Sequence, residues 1–210
     1  MNKKRLLILT ICLSAMTLSL YAQGNVSSSQ SYTLNFGIKA GVNMANITNG
    51  AADIKFSPGM KTDFHAGAFA NFHFGYRNEG SPAGTGMIGL QPEVLYSRQG
   101  FTIDGEAYNF DYLMVPVMLK LYLSDEFILE AGPYFSYLFG VSPNSTVING
   151  AQISLSNLEG GMDVGLGIGA GYEMKSGLTV GARYLLGLSD MSTNLAWKNN
   201  VIALSVGWMF

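Results

Sequence analysis

Apolar and polar residues alternate along this chain with a period of two. Eight stretches carry the pattern: 34–44, 62–76, 86–98, 109–123, 126–140, 161–174, 177–188 and 199–210. A period of two sends successive side chains to opposite faces of an extended strand, whereas a helix would repeat a face every three to four residues. The stretches run to about 11–15 residues. Globular strands usually have roughly 5–6, and a tilted strand crosses a bilayer in roughly 9–11.

The two faces of these strands differ in kind. In the last, Ile202, Leu204, Val206, Trp208 and Phe210 oppose Val201, Ala203, Ser205, Gly207 and Met209. In the sixth, Met162, Val164, Leu166, Ile168, Ala170 and Tyr172 oppose Asp163, Glu173 and a run of alternate glycines. Leu178, Val180, Ala182, Tyr184, Leu186 and Leu188 oppose a face carrying Arg183, and Phe127, Leu129, Phe135, Tyr137 and Phe139 oppose one carrying Glu130 and Ser136. Phe64, Phe72, Phe74 and Tyr76 oppose His65, Asn71 and His73. A soluble barrel would put the bulky face inside and solvate the other. Here the other face is made of small residues and a few ions, and the placement that fits is the reverse, apolar outward and polar inward. Only Arg98 and Asp111 fall on the apolar face, both near strand ends. That fits the cost of a lipid-facing cation, ~2–4 kcal/mol at mid-bilayer and little at the interfaces. The reading is all-β: an eight-stranded antiparallel up-and-down transmembrane β-barrel over 34–210, monomeric.

Connection lengths agree. If the first strand starts on the periplasmic side, the connections 45–61, 99–108, 141–160 and 189–198 face outward and are long, while those near Ser124–Glu126 and Lys175–Ser176 are short. The connection 77–85 is longer than this rule expects.

The start of the chain reads as a cleavable signal peptide over 1–22: basic Lys3, Lys4 and Arg5, an apolar run Leu6–Leu20, then Leu20-Tyr21-Ala22 before Gln23. A short lead, 23–33, would follow. Cleavage would remove Cys12, the only cysteine, and leave 9 basic against 14 acidic residues, a formal charge of −5. So acidic a chain, without a basic cluster, argues against a nucleic-acid partner. The charged fraction is 12%, about half the soluble norm, and no later apolar run reaches the 18 residues of a membrane helix. An exported, apolar chain without membrane helices is either a soluble β-protein with a large core or a membrane barrel, and the two faces described above fit the barrel.

Six segments resemble the PorT-like outer-membrane β-barrel family of the Bacteroidetes: "FGIKAGVNMANI" (36–47), "GLQPEVLYSRQGF" (89–101), "YLMVPVMLKLYL" (112–123), "EAGPYFSYLFG" (130–140), "GLGIGAGYE" (165–173) and "GLTVGARYLLGLSDM" (177–191). The resemblance implies an eight-stranded barrel in the outer membrane. It also implies, as an alternative role, an accessory part in protein secretion. Pro92, Pro116 and Pro133 lie inside these segments, and since proline removes a ladder donor, local bulges are expected there.

On this parity the interior holds Lys39, Glu93, Lys120, Glu130, Asp163, Glu173 and Arg183, three bases against four acids. Charges inside a barrel just wide enough for its side chains need partners, so an ion-paired filling is expected and not a water-filled pore. A three-residue turn at Ser124–Glu126 sets Lys120 opposite Glu130 as a cross-strand pair. Gly165, Gly167 and Ala170 fit G-x-G-x-x-A, but no strand-then-helix context surrounds them, and their spacing is that of a strand's inner face. His65 and His73 raise a further alternative, a lipid-modifying barrel enzyme, but no Ser/His/acid spacing accompanies them. Two histidines eight residues apart on a strand do not make a metal site. No cofactor or catalytic residue is expected. The expected role is structural or interactive through the outer loops. The partners would be outer-membrane lipid and lipopolysaccharide, the assembly machinery that reads Trp208 and Phe210 at the C-terminus, and a protein contact at 45–61 or 141–160.

Overall fold

A computed structural model of the chain describes residues 32–49, 59–76, 85–103, 105–143, 145–148, 151–154, 161–189 and 197–210. The leader and most of the lead segment lie outside these residues, as do 50–58, 77–84 and 190–196. Eight long strands form the wall: β1 (Tyr32–Asn49), β2 (Gly59–Tyr76), β3 (Thr85–Ile103), β4 (Glu106–Tyr122), β5 (Phe127–Ser142), β8 (Met162–Glu173), β9 (Leu178–Gly187) and β10 (Trp197–Met209). Between β5 and β8 two short strands, β6 (Ser145–Ile148) and β7 (Ala151–Ser154), pair with each other. Asn149-Gly150 separates them in sequence, a dipeptide favoured in two-residue hairpins.

The eight long strands close in the order β1-β10-β9-β8-β5-β4-β3-β2, all neighbours antiparallel. Closure removes every sheet edge, so all strand amides can be paired within the wall, which a lipid solvent demands. The stagger follows from the register. Partner to partner, Leu34, Phe72, Leu90, Leu119, Ala131, Ile168, Tyr184, Ile202 and Met44 trace one circuit, returning to β1 ten residues farther along. Ten residues of stagger across eight strands correspond to a tilt of about 40°.

The faces fall as the alternation requires. Ile168, Trp208, Phe135 and Val94 stand outward, while Glu93, Asn71, His73 and Lys120 are buried. Strand ends differ from expectation in places. β3 and β4 continue to Ile103 and Glu106, which pair with each other, so the expected long connection 99–108 is a tight hairpin with Gly105 at φ 85°. The Asp104-Gly105 dipeptide carries that hairpin signal. β1 and β2 likewise extend into the expected 45–61 connection.

The bulges expected at the prolines are absent. The β3–β4 register is the same on both sides of Pro92, the β4–β5 register passes Pro116, and the β5–β8 register runs unbroken through Pro133. Proline lacks a single donor, and a ladder held on both sides keeps its register across one missing bond. The irregularities lie elsewhere, between Met60 and His65, between Phe74 and Tyr76, and between Asp111 and Tyr112.

Glycines on the inner face of β8 make room in a crowded interior. A Cβ on Gly169 would lie 2.6 Å from the Ala182 carbonyl oxygen and 3.0 Å from Glu130 Oε1. Gly169→Leu should therefore sharply reduce the folded fraction, read as the heat-sensitive fast-migrating band on a gel. Ala182→Leu, on the outward face of the neighbouring strand, should leave that band intact.

Candidate functional site: the filled lumen

The inner side chains form layers. Nearest the Ser124–Glu126 turn, Lys120 of β4 is ion-paired with Glu173 of β8. Tyr122 donates to the other Glu173 oxygen, Oε2, at 3.2 Å, and Asn71 Nδ2 donates to the Tyr122 hydroxyl at 3.0 Å. The His73 ring lies against Tyr122 with centroids 4.0 Å apart.

The next layer is ionic. Arg183 of β9 meets Glu93 of β3 with two bonds, Nη2 to Oε1 at 2.8 Å and Nη1 to Oε2 at 3.1 Å. Its Nε donates to Glu130 of β5 at 2.7 Å. Lys39 of β1 donates to Glu93 Oε1 at 2.9 Å and lies 5.4 Å from the Phe69 ring centroid, while Gln91 Nε2 adds a bond to Glu93 at 2.7 Å. Four strands are thus tied through the middle of the barrel by side chains. Bidentate, charge-assisted bonds of this kind are the strong ones, and in a dry interior each ion depends on its partner.

Beyond the ions the lumen turns apolar. Leu95, Met114, Tyr134, Leu185, Ala45 and Val201 form a buried cluster. Beside it Asn43 bridges His65 Nδ1, Ser97 Oγ and the Arg98 carbonyl at 2.8–3.0 Å. At the far end Phe101 stacks on Tyr108 and tilts against Phe110, and Asn199 donates to Gln99. Among the described residues two cavities beside the ions are small: about 30 Å³ beside Lys39, Gln91 and Lys120, and about 20 Å³ beside Asn43, His65 and Arg183. Each holds a water or two and no larger molecule.

The interior therefore gathers six of the seven expected ions, in changed pairings. Lys120 is the register partner of Glu130, as the turn length requires, but its ammonium reaches Glu173. Glu130 is taken by Arg183, one strand farther on. Between them Gly169 is the register partner of both, and it has no side chain to block them. Asp163 does not join. It is buried at the other end of β8, opposite Ser136, and its carboxylate accepts from the Ser189 hydroxyl; among the described residues it has no ion pair. The Leu95–Met114 layer lies between it and the cations. Gln91, Tyr122 and Asn43 do not stand out in the sequence, and Asn71 only as a member of the polar face of its strand. Their signal is a polar residue on the inner parity. His65 and His73 are both buried inside, away from the membrane surface where lipid chemistry would need them. Among the described residues no three metal-ligating side chains cluster. Trp208 and Phe210 stand on the outward face at the end of β10, where the Phe210 amide donates to the Phe36 carbonyl.

A closed antiparallel barrel with an apolar exterior and an ion-paired interior is the architecture of small membrane barrels. The sequence profile described as "outer membrane protein beta-barrel domain" matches residues 21–193. The chain belongs to this outer-membrane β-barrel family. The match and the lipid-facing exterior place it in the outer membrane. Two solved barrels share its fold. Ail, the attachment invasion locus protein of Yersinia pestis, is 14% identical over 84% of this chain and 98% of its own, with a TM-score of 0.50. Neisserial surface protein A is 12% identical over 83% of this chain and 97% of its own, with a TM-score of 0.52. At such identities the likeness is one of fold. Among curated protein sequences none matches.

Two comparisons test the buried ion pairs. Glu93→Gln should cost about 3–5 kcal/mol, because it strips a charge from beside buried Arg183 and Lys39. Urea unfolding in lipid vesicles measures it. Lys120→Met combined with Glu173→Leu should cost less than Lys120→Met alone, since the double change leaves no orphaned ion. The opposite order would show that the pair is not mutually dependent.

Proposed function

We propose that this outer-membrane barrel is non-enzymatic, a rigid mount whose outer connections meet other molecules. The observation that carries the reading is the lumen: Arg183 ties β9 to β3 and β5 through the barrel interior, and the cavities beside it are water-sized. A lumen so filled offers no route for a solute and no open surface on which a substrate could be turned over. The recognition surface that remains is the end with the longer connections, where β6 and β7 build a separate hairpin in the 141–160 segment. That segment, with 45–61, is the proposed contact for a protein partner.

On the same reading 1–22 is the export signal, Trp208 and Phe210 are read by the assembly machinery, outer-membrane lipid and lipopolysaccharide surround the belt, and the barrel works as a monomer. The finer placement beside the PorT-like barrels of the Bacteroidetes, and with it an accessory part in protein secretion, rests on the six resembling segments alone.

Two measurements test the proposal. In planar bilayers the purified chain should show no unitary conductance, and steady ion-selective steps would overturn the filled lumen. Photo-crosslinkers placed singly through 141–160 in cells should trap a discrete partner, whereas the same probe at Val206 on the lipid face should not. Crosslinking only to lipid from every position would remove the interaction role.

A further inference from the structure

One charged group stands on the outward face of β3 and β4. Arg98 and Asp111 are register partners, and Arg98 donates Nε to Oδ1 at 2.7 Å and Nη2 to Oδ2 at 3.3 Å. The Tyr96 hydroxyl also donates to Oδ1, at 2.6 Å. Aromatic rings surround the group: the Phe64 centroid is 6.0 Å from the Arg98 guanidinium carbon and 5.5 Å from the Tyr96 ring, and Phe139 lies 6.1 Å from Tyr96 on the other side. The arginine side chain is 37% exposed, on a face that carries Ile88, Leu90, Pro92, Val94 and Tyr96 on the side toward the short turn.

Its height in the barrel follows from the register. Ile88 pairs with Leu121 beside the tight Ser124–Glu126 turn. Arg98 is ten residues farther along β3, about 33 Å of strand, which a tilt of about 40° projects to about 25 Å along the axis. That is the height of the apolar band of such barrels, about 25 Å. Arg98 therefore stands where the acyl chains of the outer leaflet give way to headgroups. A bare arginine needs no acid there, because water and headgroups are at hand. This one is held in a fixed plane by Asp111, with Tyr96 bracing the acid. The bonds to Asp111 use Nε and Nη2, so the donors of Nη1 lie outside the pair. A planar guanidinium, oriented and with donors to spare, matches a phosphate oxygen, and the flanking rings offer flat apolar walls to the first segments of acyl chains.

We propose that Tyr96, Arg98 and Asp111, with Phe64 and Phe139, form a headgroup site for an outer-leaflet lipid bearing a phosphate monoester. Arg98 holds the phosphate, Asp111 and Tyr96 position Arg98, and the two phenylalanines receive the chains. Asp111 partly cancels the charge, so the site holds its lipid in exchange with the surrounding bilayer and does not trap it.

Native mass spectrometry of the full chain, released from vesicles, tests this. The vesicles carry phosphatidic acid, the probe monoester, and phosphatidylcholine of matched acyl chains. The wild-type barrel should retain phosphatidic acid several-fold over phosphatidylcholine. Arg98→Gln should abolish the preference, Arg98→Lys should keep part of it, and Asp111→Asn, which keeps an Oδ1 acceptor to position Arg98 but removes the competing charge, should increase it. Heat-modifiable mobility checks that each variant is folded; if Arg98→Gln does not fold, the Asp111→Asn and Arg98→Lys comparisons decide. An unchanged preference in folded Arg98→Gln, or a loss in Asp111→Asn as large as in Arg98→Gln, overturns the proposal and leaves an ion pair of purely structural use. Displacement of the lipid by millimolar inorganic phosphate would assign the site to the free anion and overturn the lipid as its occupant.

Discussion

The guanidinium of Arg183 is the constraint around which this molecule is arranged. It is buried inside the lumen, it cannot shed its charge, and it satisfies itself on Glu93 and Glu130, which belong to strands that do not neighbour its own. Each requirement that follows is visible in the chain. Gly169 has no side chain because the arginine must pass it to reach Glu130. Glu93 needs Gln91 and Lys39 as well, because one arginine does not satisfy both its oxygens fully. Lys120 must find another acid, since Glu130 is occupied, and it reaches across to Glu173. In a protein whose exterior faces lipid, little hydrophobic drive remains to pull opposite walls together. Charged bonds through the middle take over that task.

The ionic layer works because of what lies on either side. Toward the short turns a polar shell of Tyr122, Asn71 and His73 grades the charges into solvent. Toward the long connections the Leu95, Met114, Tyr134 and Leu185 cluster closes the lumen, and the Phe101, Tyr108 and Phe110 rings close it again. Among the described residues the chemistry along the barrel axis thus alternates between polar, ionic, apolar and aromatic layers.

Much of this was legible from alternation. Which residues face lipid, which ions face inward, and the Lys120–Glu130 register all follow from parity and turn length, both local properties. Three things did not follow. The pairing of Arg183 with Glu93 spans 90 residues and depends on how far the wall is staggered when it closes, which no single strand encodes. Asp163 has the right parity but the wrong height, and parity carries no height. Proline taken by itself predicts a bulge, whereas in a closed wall the intact bonds around it hold the register. The tight β3–β4 hairpin is written in Asp104-Gly105, a local signal at odds with the rule of long outer connections.

The ten-residue stagger has a consequence for how such a chain varies. Because the wall closes on itself, the offsets between neighbouring strands must together return to the same place, so a residue gained or lost within one strand disturbs that closure unless a bulge absorbs it, as between Asp111 and Tyr112. A residue gained or lost in a connection outside the wall changes nothing in that closure. The chain is in this sense divided into a locked part and a free part. The boundary between them is drawn by topology, and it assigns mechanical identity to the strands and leaves molecular individuality to the connections.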